Sequence, residues 1–294
     1  MKNPILCSTG AFIHGYNDYD HTLIEKINRD TNFNGFEIFM FDGFHLANRL
    51  EEYKEFAKTV TAAKDNGILF NSMHMFKQIG EMISRNEPGD IERAVYLFEH
   101  NCEYAARYGA KLLVLHLWGG VPSDKNIGVN IGLYPKLKKI SDNYNLTLTV
   151  ENIVCNTHRP LDHMKKLWEL YPDDIKFTID IRQAEFHKSL IETCESSFLW
   201  DNNLVSNLHI SDYSGGKMEW ERLRVSTPIN RGDVDFDYLF SFLKSVNYSG
   251  PIVVETAYDK TIPYDEMIAD LNRSKKFIEN NPADQKPAPP PVIC

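Results

Sequence analysis

A chain of 294 residues with 43% hydrophobic and 25% charged content has ample apolar material for a folded core, which excludes a chain disordered throughout. A net charge of -9 and a pI near 5.6 tell against a protein whose main work is to neutralise a phosphate backbone. Five cysteines, at 7, 102, 155, 194 and 294 with no CxxC pair, suggest neither a disulfide framework nor a structural zinc site.

No run of about 18 apolar residues is present to span a membrane, and no export signal opens the chain, so the reading is of a cytoplasmic protein. Short β-branched runs alternate with longer stretches of helical periodicity from one end to the other. The predicted strands are 5–9, 35–40, 68–75, 111–118, 146–152, 175–180, 204–210 and 251–256. Amphipathic stretches at 50–66, 91–108, 161–171, 236–246 and 264–279 supply crossover helices. Asp65-Asn66-Gly67, Tyr108-Gly109 and Ser249-Gly250-Pro251 mark the turns before the next strand. Eight consecutive units predict an α/β fold, a single (β/α)8 TIM barrel over 1–280, in preference to an open doubly wound sheet. The segment 281–294, NPADQKPAPPPVIC, reads as a disordered or extended appendage, because its prolines cannot join a helix or a sheet interior.

In such a barrel the active site lies where strands end and loops begin. Four ligand-type side chains occupy that position on four consecutive strands: Glu151, Asp180, His209 and Glu255. Any one alone reads equally well as a helix cap, half a salt bridge or a satisfied core histidine. Three carboxylates converging on one mouth repel one another unless a cation or protons compensate, so the set predicts one shared divalent metal ion. An oxygen-rich donor set with one imidazole favours Mn2+ or Mg2+, and also accommodates Co2+ or Zn2+.

With TVEN (149–152), FTIDIRQA (177–184), LHISD (208–212), NRGDVDF (230–236) and IVVET (252–256), the sequence resembles the xylose isomerase-like barrel superfamily. The resemblance runs through about residue 280 and takes in ketose 3-epimerases, sugar isomerases, dehydratases and metal-dependent AP endonucleases. It implies that Glu151, Asp180, His209 and Glu255 bind the metal and that Glu151 and Glu255 also move protons. The expected activity is isomerisation or epimerisation of a small sugar, sugar phosphate or related polyol through a metal-stabilised enediolate. A dehydratase, in which the same enediolate expels a β-hydroxyl, is the alternative enzyme; a non-catalytic barrel is a further one, against which the intact ligand set speaks.

The endonuclease branch carries three metals, and two of its extra ligands are matched by His74 and His116. Gln183, however, stands where that branch has a histidine, and Arg222-Leu223-Arg224 where it has Asp-x-His. Arginine has no acceptor with which to ligate a cation, so a trinuclear cluster is not expected. The acidic net charge points the same way, so no nucleic-acid partner is expected and an AP endonuclease stands as the third reading, behind the dehydratase. His74, His116 and Gln183 are then read as pocket residues for the substrate. Arg222 and Arg224 are either solvated loop charges or a clamp for a substrate carboxylate or phosphate. Trp118 and Phe12 are either sugar-facing walls or simple packing. The partner expected is a small sugar-like molecule, with no membrane, and a homo-oligomer is compatible with everything above.

Overall fold

A computed structural model describes residues 3–13, 22–40, 50–258 and 261–280. The apolar runs form eight short strands: β1 (Ile5–Ser8), β2 (Phe36–Phe39), β3 (Phe70–His74), β4 (Leu112–Leu115), β5 (Thr147–Glu151), β6 (Phe177–Asp180), β7 (Val205–Ile210) and β8 (Ile252–Val254). Each pairs in parallel with the next, and β1 closes on β8 through Ile5–Ile252, Leu6–Val253 and Cys7–Val254, giving a closed (β/α)8 barrel. All eight predicted strands are found at their predicted places, trimmed by one to three residues at their ends.

Inside the barrel the side chains are more polar than the filling of branched apolar residues usual for this architecture. A strand alternates its faces with period two. In β5 this sends Leu148 and Val150 to one side and Thr149 and Glu151 to the other, where the Thr149 hydroxyl meets that of Thr178 on β6 at 2.7 Å. Ser72 on β3 donates to Glu37 on β2 at 2.7 Å, and Asn207 on β7 reaches the same carboxylate at 3.5 Å from across the barrel. A polar layer of Glu37, Ser72, Thr149, Thr178 and Asn207 therefore fills the interior, all of it buried. The next inward positions upward bring His74, Glu151, Asp180, His209 and Glu255 to the mouth.

The crossover helices read from the sequence are present at Leu50–Asp65, Asp90–Tyr108, Pro160–Leu170, Phe236–Ser245 and Tyr264–Asn280. Others that the periodicity did not single out include Leu23–Thr31, Gln78–Arg85 and Ile127–Asn143, the last carrying Pro135 inside it. Gly67 and Gly109 take the left-handed conformation that their turns need, at φ 85° and 89°. Elsewhere asparagine does the same work before a strand: Asn32, Asn145, Asn203 and Asn247 all have φ between 52° and 56°. Cys7, Cys102, Cys155 and Cys194 are buried and unpaired. Among the described residues no helix is long and apolar enough to cross a membrane. The Pro-rich segment 281–294 lies outside the described residues.

One glycine sets the depth of the mouth. A Cβ on Gly80 would stand 2.2 Å from the His116 carbonyl oxygen and 2.8 Å from that of Trp118, so only glycine lets the helix Gln78–Arg85 lie against the end of β4. From that helix the Ser84 hydroxyl donates to the Ser123 carbonyl at 2.6 Å and accepts the Gly119 amide at 3.2 Å, which fastens the loop beyond His116. Gly80→Ala is expected to cost about 1–3 kcal/mol of stability in urea denaturation, since backbone rather than a side-chain end must yield. A wild-type midpoint would refute the close approach.

Candidate active site

Glu151 ends β5, Asp180 ends β6, His209 lies near the end of β7 and Glu255 follows β8 directly. Their ligand atoms all fall within 4.8 Å of one another. His209 Nδ1 stands between two carboxylates, 2.7 Å from Glu151 Oε1 and 3.1 Å from Glu255 Oε2. Proximity here is not hydrogen bonding: both Glu151 oxygens and His209 Nδ1 are buried without a hydrogen-bond partner among the described residues. Donor atoms that converge on a point without aligning on each other are the arrangement a cation requires.

The far nitrogen of the same ring has a different neighbour. His209 Nε2 lies 3.2 Å from Glu37, a carboxylate 0% exposed that also accepts from Ser72. Asn207 Nδ2 lies 3.1 Å from the same nitrogen. With Nε2 turned to Glu37, Nδ1 is the nitrogen that faces the cluster, where it would give its lone pair to a metal on losing its proton. Asp180 is placed from two sides: its amide donates to Asn152 Oδ1 at 2.6 Å, and Asn152 Nδ2 donates to its carbonyl at 3.0 Å. One of its carboxylate oxygens caps the helix Ile181–Phe186 by accepting from the Gln183 amide at 3.0 Å. Asp180 is thus a helix cap and a member of the cluster at once.

Electrostatics express the crowding. Burial opposes the ionisation of Glu151, but His209 and His116 beside it prevail and hold its carboxyl well below the usual carboxylate range. Glu255 is drawn down to about 2, burial again opposing and His209 prevailing. Burial together with the charges of Glu151 and Glu255 pushes Asp180 up to about 7. His209 rises well above its ordinary value, burial opposing and Glu37, Glu255 and Glu151 prevailing. The cluster therefore binds a positive charge in any case, and a divalent cation would take the place of the proton.

Residues 26–280 match the family model described as xylose isomerase-like TIM barrel. The chain belongs to the xylose isomerase-like TIM barrel family. Solved structures share this fold at low identity. The 3-keto-D-glucoside 4-epimerase YcjR from E. coli is 19% identical with a TM-score of 0.62, over 94% of this chain and 100% of that one. A zinc-bound IolI protein is 14% identical with a TM-score of 0.70, over 92% and 96%. A D-allulose 3-epimerase from Methylomonas sp. in complex with D-allulose is 12% identical with a TM-score of 0.68, over 95% and 97%. No curated protein sequence matched.

In this xylose isomerase-like barrel a cavity of about 110 Å³ opens above the cluster, lined by Gly10, Phe39, His74, Lys77, His116, Glu151, Asp180, Arg182, Gln183, Glu255 and Ala257. His74 and His116 both approach Glu151 Oε2 with Nε2, at 3.4 and 2.6 Å. Gln183 also lines the cavity, whereas Trp118, Phe12, Arg222 and Arg224 do not. Trp118 is fully buried, donating to the Ile153 carbonyl at 3.2 Å and packing edge-on against His163. Phe12 packs edge-on against Phe36. Arg222 and Arg224 are exposed on or beside the short helix Trp220–Leu223, with Arg224 3.6 Å from Glu221. Sequence reasoning passed over Glu37, Lys77 and Arg182; the signal for Glu37 was a carboxylate inside the apolar run FEIF, at an inward position.

Two buried aspartates build the walls. Asp212 accepts amide hydrogens from Tyr213, Arg231, Gly232 and Val234 at 2.8–3.2 Å, which ties LHISD to NRGDVDF. Asp124 accepts from the amides of Asn156, Thr157 and His158 and from the Ser123 hydroxyl, binding the loop after β5 to the loop after β4. Burial opposes the ionisation of Asp124, but the His158 amide and the side chains of His158, Ser123 and His163 prevail and hold it far below the ordinary carboxylate range. Because the folded value is the lower one, its stabilisation is complete above about pH 4, where the unfolded carboxyl ionises, and is lost as the pH falls through the folded value. Asp124→Asn should cost about 1–3 kcal/mol at neutral pH. Denaturation curves of the two proteins are expected to converge in acid, and a gap that stays constant with pH would exclude this role.

Proposed function

We propose that this protein is a divalent-metal-dependent isomerase or epimerase of a small sugar, sugar phosphate or related polyol. The observation that carries the reading is the convergence of Glu151, Asp180, His209 and Glu255 within 4.8 Å at the barrel mouth, with both Glu151 oxygens and His209 Nδ1 buried and without a hydrogen-bond partner among the described residues. These four residues would hold the ion, Mn2+ or Mg2+ by the chemistry of the donors, with Co2+ or Zn2+ also accommodated. When bound, the ion supplies Lewis-acid stabilisation of the negative charge that develops on a substrate oxygen as the neighbouring carbon loses its proton.

The chain's own residues perform the proton transfers. Glu151 and Glu255 arrive from β5 and β8, both approach His209 Nδ1 and both line the cavity, so a substrate carbon seated there has two carboxylates within reach. Both are held in the ionised form that a general base needs. One takes the proton and the other returns it to the opposite face, the requirement for inversion. Their surroundings differ: the Glu151 side chain is 1% exposed and touches His74 and His116, whereas that of Glu255 is 19% exposed. Glu255 is therefore the carboxylate whose proton exchanges more readily with water.

Glu151→Gln and Glu255→Gln should each lower kcat by about 10²–10⁴-fold on any sugar turned over by the wild type, with unchanged circular dichroism. Wild-type rates in both would end the assignment. Elemental analysis is expected to find a divalent metal, and chelation to abolish turnover that a pure metal salt restores. Turnover in heavy water should leave deuterium in an isomer or epimer; an unsaturated product would instead identify a dehydratase. Glu37→Ala should weaken Mn2+ binding to the stripped protein by about 10–100-fold in calorimetry, because the His209 ring loses the partner of its Nε2–H.

A further inference from the structure

Two cations share the cavity with the carboxylate cluster. Lys77 lies three residues past His74 and Arg182 two past Asp180, so they descend from β3 and β6, three staves apart around the ring. The Lys77 ammonium lies 5.1 Å above the Phe39 ring, and its charge is felt by both His74 and His116. Arg182 is held rigidly, its Nη2 donating to the carbonyls of Leu223 and Val225. Its Nε–H is buried and has no acceptor among the described residues. The Oε1 of Gln183, the next residue and also at the cavity, is likewise buried and has no donor among the described residues.

A buried guanidinium N–H without an acceptor and a buried amide oxygen without a donor, on two residues that line one cavity, are half of a hydrogen-bonding pattern. An anionic oxygen answers the first and a neighbouring hydroxyl answers the second. Charge allows it. With a divalent cation bound, the three carboxylates leave one net negative charge, which Arg182 alone cancels, and Lys77 adds a further positive charge at the same cavity.

We propose that the site takes an anionic sugar derivative, a sugar acid or a sugar phosphate, whose oxyanion is held by Arg182 with Lys77 and whose adjacent hydroxyl donates to Gln183. The clamp sought among the exposed Arg222 and Arg224 is thus formed by the arginine of FTIDIRQA. The inference rests on the isomerase reading for the reaction, but its binding step is separable from it.

Carbonyl-free probes that cannot isomerise make the separation. Calorimetric titration of the metal-loaded protein with D-sorbitol, D-gluconate and D-sorbitol 6-phosphate compares a neutral polyol with its carboxylate and phosphate counterparts. At least one anion is expected to bind tighter than sorbitol by about 10–100-fold, the worth of a hydrogen bond to a charged group. Gluconate and the phosphate ester distinguish the two sources of the oxyanion. Arg182→Gln and Lys77→Gln should each remove most of that preference, and Arg222→Gln should leave it intact. Lys77→Gln keeps the test open should Arg182→Gln loosen the loop at Leu223. Equal binding of sorbitol and both anions, failure of both anions to bind, or an anion affinity unchanged in both variants would overturn the proposal. Anion binding that depends on Arg182 in a protein without sugar turnover would retire the isomerase reading and leave this one standing.

Discussion

Three carboxylates that meet in the buried end of a barrel cannot all be charged without a positive partner, and the rest of the site is organised around that constraint. In a low-dielectric pocket their mutual repulsion is not screened by water, so something must yield. Here Asp180 is pushed up to about 7 while Glu151 and Glu255 stay ionised against the His209 ring. The unequal response follows from contact: Glu151 and Glu255 lie 2.7 and 3.1 Å from His209 Nδ1. A site already divided in this way has a ready place for a cation beside two ionised carboxylates.

Beneath the mouth, the polar layer explains how a histidine 0% exposed is held in one orientation. An imidazole between carboxylates could turn either nitrogen to the cluster. Glu37, fixed by Ser72 and approached by Asn207, engages Nε2 and so selects Nδ1 for the mouth. The interior is thus not simply a packed core beneath an active site. It is the support that decides which lone pair the site presents, and Glu37 comes from β2, far in sequence from the residue it orients.

Much of this was legible in the residues. The eight strands could be read because a parallel barrel buries both faces of each strand, making continuous apolar runs such as LLVL bounded by turns. The four mouth residues stood out because a charged group at the end of such a run has few places to go. The helix Ile127–Asn143 was hidden because apolar residues lie around much of it and Pro135 interrupts it. Glu37 was hidden by its position in mid-strand, where only the three-dimensional closure of β2 across from β7 reveals a partner. Trp118 sits at a strand end as a sugar-facing wall would, yet its indole turns to the Ile153 carbonyl and the His163 ring. Strand position fixes depth, not direction, for a residue just beyond the last paired one. Arg222 and Arg224 show the same limit for loops, since their distance from the mouth depends on a short helix that periodicity cannot announce.

Buried carboxylates of two kinds occur at this end of the barrel, and the number of hydrogen atoms pointed at them separates the kinds. Asp212 and Asp124 each collect several backbone amides, which satisfies their lone pairs and turns them into knots that hold loops. Glu151 is as deeply buried, yet its oxygens face ring nitrogens that do not align as donors. Sequence alone makes Asp212 and Glu151 look alike, since each is an acid at the end of an apolar run. Counting donors sorts them on physical grounds: a carboxylate saturated with N–H groups has nothing left to give a ligand, and one denied them in a buried site is stable only because a cation or a proton shares it. By the same count the Nε–H of Arg182 is the complement of Glu151, a charged donor without an acceptor among the described residues at the edge of the same cavity.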